Sequence, residues 1–158
     1  MGFFDTGIFG TDVLVRVLFE NGYSDTAVKL LSSREKDTFG YQILECNATT
    51  LWEYWNGEQS HNHPMFGACV KYLFTELLGM KKGNIFRIEP KPSVLLNNVR
   101  GKIREKGKEV SVEYEIVNDK IIFKIWTGIP LIFSWDGKEY KLTENTNCVY
   151  SFNFEFVV

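Results

Sequence analysis

The sequence is poor in the residues that build covalent staples and metal centres: three cysteines, two histidines and four prolines among 158 residues. Cys46, Cys69 and Cys148 are an odd set without paired spacing. A disulfide framework is therefore not expected, and reduced thiols lean towards a reducing, cytoplasmic compartment. Positive charge is also lacking. A formal net charge of -2 and a pI near 5.7 supply no basic field for a phosphate backbone, so no nucleic-acid partner is expected. No apolar run approaches the roughly 20 residues that span a bilayer, and no membrane partner is expected either. The opening MGFFDTGIFG has no basic n-region and no small-residue cleavage site, so it does not read as an export signal. A glycine-rich phosphate loop and a nucleophile elbow are both missing, and no cofactor is expected.

What is present is ordinary globular composition, 44% hydrophobic and 24% charged, with a high aromatic content of 15%. From Thr11, a capping residue, Val13, Leu14, Val17 and Leu18 form an apolar stripe that predicts a helix, and Asn21-Gly22 supplies its left-handed stop. A second helix follows, capped by Ser24 and carrying Ala27, Val28, Leu30 and Leu31, so the pair reads as an αα-hairpin. Residues 32–48 lose the period: Arg34 to Asp37 is a solvated charge run, and Phe39-Gly40-Tyr41 with Ile43 and Leu44 reads as a loop or brief extended piece returning to the core. Pro64 fits the first turn of a further helix, in which Phe66, Val70, Leu73, Phe74, Leu77 and Leu78 recur before Gly79. Beyond Gly83 the period becomes alternating. Strands are predicted over 85–89, 99–105, 110–117, 120–127, 131–135, 138–142 and 147–158, with Lys106-Gly107-Lys108, Asn118-Asp119 and Asp136-Gly137 as turns. The chain thus reads as α + β and multidomain, with helices over 1–83 and an antiparallel β-sandwich over 84–158.

Between the helical segments lies TTLWEYWNGEQSHNHPMFG, Thr49 to Gly67, which holds Trp52, Glu53, Trp55 and both histidines, His61 and His63. A cleft carboxylate beside aromatic rings suits sugar hydrolysis, because the carboxylate activates a water or a bond while rings stack on apolar sugar faces. The same residues also suit a loop whose tryptophans only pack. A metal site is not expected: Pro64 makes His61-Asn62-His63 a helix-start loop, and no third ligand has suitable spacing. Glu45, eight positions before Glu53, reads as a surface acid. Cys46 and Cys69 read as structural thiols, since neither has a base at recognisable spacing.

DTGIFGT, NATTLWEYW, SHNHPMFG and RIEPKP, in that order, resemble the C-terminal part of bacterial α-L-rhamnosidases, glycoside hydrolase family 78. The resemblance is strongest over the first 92 residues. It implies the last helices of an incomplete (α/α)6 toroid followed by a β-sandwich. It implies that Glu53 is the general base of an inverting hydrolase and that His63 contacts rhamnose, with Trp52 and Trp55 flanking the base. His61 has no matched role and reads as a loop histidine bonded to backbone. The family's general acid lies upstream of anything matched here, so the chain is expected to act on a rhamnose-containing glycoside only together with the missing N-terminal part of the toroid. Alternatively the apolar stripes are covered by self-association, or the chain is a non-catalytic carbohydrate-binding or accessory protein. A fragment is expected to leave the stripe from Val13 to Leu18 uncovered.

Overall fold

The computed structural model describes residues 3–154 and divides the chain into two compact units, Met1–Leu73 and Phe74–Val158. No helix among the described residues is long and apolar enough to cross a membrane.

In the first unit, helix α1 spans Ile8–Glu20 and helix α2 spans Ser24–Ser32. Helix α1 starts earlier than the sequence suggests, with Gly7 as its N-cap accepting the Thr11 N–H at 2.9 Å. Thr11 is therefore a buried helical residue rather than a cap, its hydroxyl 2.8 Å from that of Thr6. The buried face is Thr11, Val15 and Phe19, whereas Val13 and Val17 are exposed and Leu14 and Leu18 are half-buried. The expected stripe is thus rotated outward, because the small threonine and the large Phe19 fit the local core better than the valines do. The C-terminus is a Schellman turn: Tyr23 N–H donates to the Leu18 carbonyl at 2.8 Å, Gly22 N–H donates to Phe19, and Gly22 takes φ +83.

Two further segments depart from expectation. Tyr41–Glu45 is a wide helical turn rather than an extended piece. Thr38 nucleates it, accepting the Tyr41 N–H at 3.2 Å and donating to the Glu35 carbonyl at 2.6 Å. Phe39 and Gln42 turn inward, while Ile43 and Leu44 stay exposed. The helix expected from Pro64 is not a uniform α-helix, for Pro64–Val70 has 3-10 geometry and Leu73–Leu77 has π geometry. Pro64 withholds an N–H and Gly67 weakens the first half, so hydrogen-bond spacing shifts along the run.

The second unit is a sandwich of two four-stranded sheets. One orders β1 (Met80–Lys81), β2 (Phe86–Ile88), β6 (Leu131–Trp135) and β7 (Lys138–Leu142). The other orders β3 (Asn98–Glu105), β4 (Lys108–Val117), β5 (Lys120–Thr127) and β8 (Thr146–Asn153). Seven of these strands lie where alternation placed them, and β1 was not foreseen. All pairings are antiparallel except β2 with β6, which run parallel because the intervening chain crosses through the other sheet. Lys106-Gly107, Asn118-Asp119 and Asp136-Gly137 each place two successive residues at positive φ, as two-residue hairpin turns require. Gly79 also has positive φ, +70, and a Cβ there would lie 2.1 Å from the Glu89 carbonyl carbon. The expected alternation runs along β8, which ends at Asn153; Phe154 follows the strand, and Glu155 to Val158 lie outside the described residues.

Rings from both sheets meet at Phe123. Its centroid is 5.2 Å from Phe133, 4.8 Å from Trp135 and 6.0 Å from Tyr114. Trp126 points outward, since Ile121, Phe123, Ile125 and Thr127 occupy the inner face of β5. Phe123→Ala is predicted to destabilise the β unit by about 3–5 kcal/mol through loss of apolar burial and cavity formation. Urea unfolding monitored by near-ultraviolet circular dichroism measures that change.

Candidate active site

Residues 50–63 form an irregular hairpin of the first unit. Glu53 N–H donates to the Ser60 carbonyl at 2.8 Å, His63 N–H donates to the Leu51 carbonyl at 2.8 Å, and the Thr50 hydroxyl donates to the His61 carbonyl. These cross-links place Glu53 and His63, ten positions apart in sequence, on one side of the loop. Glu53 Oε2 lies 3.7 Å from His63 Nδ1, with the side chains 32% and 25% exposed. At that distance the pair is not directly hydrogen-bonded. Oε2 also accepts the Ser60 N–H at 3.3 Å, while Oε1 has no hydrogen bond among the described residues. A half-shielded carboxylate with one oxygen tethered and the other open can orient and deprotonate a water.

The two tryptophans do different work. Trp55 is the anchor: it stacks on Phe4 at 5.4 Å and 3°, meets Phe39 at 5.1 Å and Phe66 at 4.5 Å, and its indole N–H donates to the Thr6 carbonyl at 2.9 Å. Trp52 stacks on His61 at 4.5 Å and 16°. It also lies over Gly57, where a Cβ would come within 2.8 Å of the ring. His61 Nε2 is 2.7 Å from the Gly57 carbonyl, the backbone-bonded loop role expected of it. Beside Trp55 opens a depression of about 480 Å³ whose wall includes Asp5, Thr6, Lys36 and Tyr54.

Glu45 stands apart from this cluster, exposed and 3.9 Å from the Arg34 guanidinium. Among the described residues no three His, Cys, Asp or Glu side chains group to hold a metal ion. The sequence reading missed Thr50 and Ser60, whose backbone and hydroxyl bonds close the hairpin. Gly57, at φ +79, was the available signal, since a glycine between two polar runs marks a reversal.

The helical unit thus presents a carboxylate and a histidine on one hairpin, and a β-sandwich follows it in sequence. Residues 2–77 match the model of the bacterial alpha-L-rhamnosidase 6 hairpin glycosidase domain. The chain is 29% identical over 171 residues to an alpha-L-rhamnosidase of Formosa agariphila, covering 96% of this chain and 18% of that protein. It is 28% identical over 125 residues to one of Streptomyces avermitilis, covering 70% of this chain and 12% of that protein. Among solved structures, the alpha-L-rhamnosidase from Dictyoglumus thermophilum superposes with a TM-score of 0.71 at 31% identity, over 78% of this chain and 15% of that one. A protein described as a kojibiose phosphorylase from the human microbiome shares the fold, with a TM-score of 0.55 at 16% identity over 89% of this chain and 17% of that one. Residues 2–77 thus resemble part of the six-hairpin glycosidase domain of bacterial α-L-rhamnosidases. The chain spans less than a fifth of the length of these relatives.

Cys69 is buried, its thiol donates to the Phe66 carbonyl at 3.3 Å, and burial pushes its pKa up to about 11. At pH 8 only roughly one molecule in a thousand then carries the reactive thiolate. Iodoacetamide at pH 8 is predicted to label exposed Cys46 and to spare Cys69 until denaturant is added, as peptide mass mapping reads directly.

Proposed function

We infer that this chain is a piece of an inverting α-L-rhamnosidase that supplies the general base, Glu53, and a sugar contact, His63, to a site acting on a rhamnose-containing glycoside. The observation that carries this reading is the hairpin that brings Glu53 within 3.7 Å of His63 inside the segment related to rhamnosidases. Glu53 would take a proton from water on the face opposite the leaving group through its open Oε1, while Oε2 stays tethered by Ser60. His63 would hold a sugar hydroxyl beside that water. Trp52 and Trp55 flank Glu53 in sequence, and at least one of them would shape the sugar pocket.

Inversion needs a second carboxyl about 6.5–9.5 Å from the base to protonate the leaving oxygen. Glu45 is turned to solvent beside Arg34 and does not suit the role. The reading therefore takes the acid from toroid sequence outside these 158 residues. The proposed division of labour is a toroid portion ahead of the break between the two units, at Leu73–Phe74, and a sandwich after it. Phe9, Val13 and Val17, spaced four apart on one exposed face of α1, favour a partner formed by further toroid helices or by a second copy of the chain.

The purified chain is predicted to release no nitrophenol from an aryl α-L-rhamnoside beyond a Glu53→Gln control, since lacking the acid costs about 10²–10⁴-fold before substrate positioning is counted. Turnover by the chain alone that vanishes in Glu53→Gln would overturn the incomplete-site reading.

A further inference from the structure

The outer face of the β3-β4-β5-β8 sheet presents an aromatic ring that the sandwich core does not use. Along β5 the inward residues alternate with Ile122, Lys124 and Trp126, and Trp126 is 38% exposed. Strand register sets Trp126 in one row with Lys102 and Asn147, and sets Arg100, Glu113 and Lys124 in the next row. These six side chains line one depression of about 490 Å³.

Its chemistry is that of a ring platform edged by hydrogen-bonding groups. Trp126 is bordered on its own strand by Lys124 and in its own row by polar side chains, not by a broad apolar patch of the kind that docks proteins. The Trp126 indole N–H and the Asn147 and Arg100 side chains make no hydrogen bond among the described residues. Lys124 is committed to Glu113 at 3.0 Å and Lys102 to Glu109 at 3.2 Å. Arg100 is exposed and has no ion pair within 4.0 Å among the described residues. The depression thus offers a flat apolar face, uncommitted amide and indole groups, and a guanidinium that feels Glu113 across the strands without forming a close ion pair.

We propose that this face binds a glycan through a pyranose that carries a carboxylate or sulfate. The indole of Trp126 takes the C–H face of the ring, Asn147 takes a ring hydroxyl, and the guanidinium of Arg100 takes the anion through paired N–H donors. The surface lies wholly within the β unit and acts independently of Glu53 and His63. It gives the sandwich a substrate-tethering task separate from hydrolysis.

Isothermal titration of the full chain with trigalacturonic acid tests the site, with neutral cellotriose as the comparison. The acidic trisaccharide binds saturably and more tightly than cellotriose. Trp126→Ala weakens it about tenfold, the scale of one lost ring contact. Arg100→Ala brings its affinity down to that of cellotriose, and Glu53→Gln binds like the parent. Trp126→Phe retains part of the affinity and, with Arg100→Ala, carries the test if the alanine variant does not fold. Absence of saturable binding overturns the proposal, as does binding that Trp126→Ala leaves intact and His63→Ala abolishes. Equal affinity for the two trisaccharides overturns the anionic assignment.

Discussion

The placement of Trp55 is the constraint on which the Glu53 loop depends. A hairpin held by a few backbone bonds would sample many conformations in water, and ordering it costs backbone entropy at every residue. Burying one large ring among Phe4, Phe39 and Phe66 offsets that cost, and the indole N–H bond to Thr6 fixes the ring's rotation as well as its depth. Because Glu53 is two residues from this anchor, its carboxylate inherits the anchor's position. Ser60 then tethers one oxygen and His63 stands beside it. Preorganisation of this kind distinguishes Glu53 from an exposed acid such as Glu45.

The two units meet the burial requirement differently. The sandwich closes on itself: Phe123, Phe133 and Trp135 fill the space between its sheets, and its outer face carries ion pairs such as Lys124 with Glu113. The helical unit has a smaller core and leaves Phe9, Val13, Val17, Ile43 and Leu44 facing outward. Small helical cores are marginal in stability, and such faces favour completion by further helices.

The strands were legible almost to the residue, because alternation of large apolar and charged side chains survives from β3 to β8 and the turns carry residues that tolerate positive φ. The parallel pairing of β2 with β6 was not, since three-residue strands carry no signal of direction. In the helices the apolar stripe of α1 was visible but its buried side was not: Thr11, Val15 and Phe19 compete with Val13 and Val17, and which face turns inward depends on partners a periodicity cannot name. The outward turn of Trp126 could have been read, for Ile121, Phe123 and Ile125 fix the parity of β5. The motif from Thr49 to Gly67 announced its chemistry through residue types, whereas the 3.7 Å approach of Glu53 and His63 rests on cross-hairpin bonds that spacing alone does not reveal.

The most direct test of the account is to place the chain within a complete toroid. The 158 residues replace the corresponding segment of a related α-L-rhamnosidase, and the folded chimera is assayed on an aryl α-L-rhamnoside with and without Glu53→Gln. The account predicts hydrolysis that falls by about 10²–10⁴-fold in the Glu53→Gln chimera. A folded chimera that turns over equally well with glutamine at that position would contradict it.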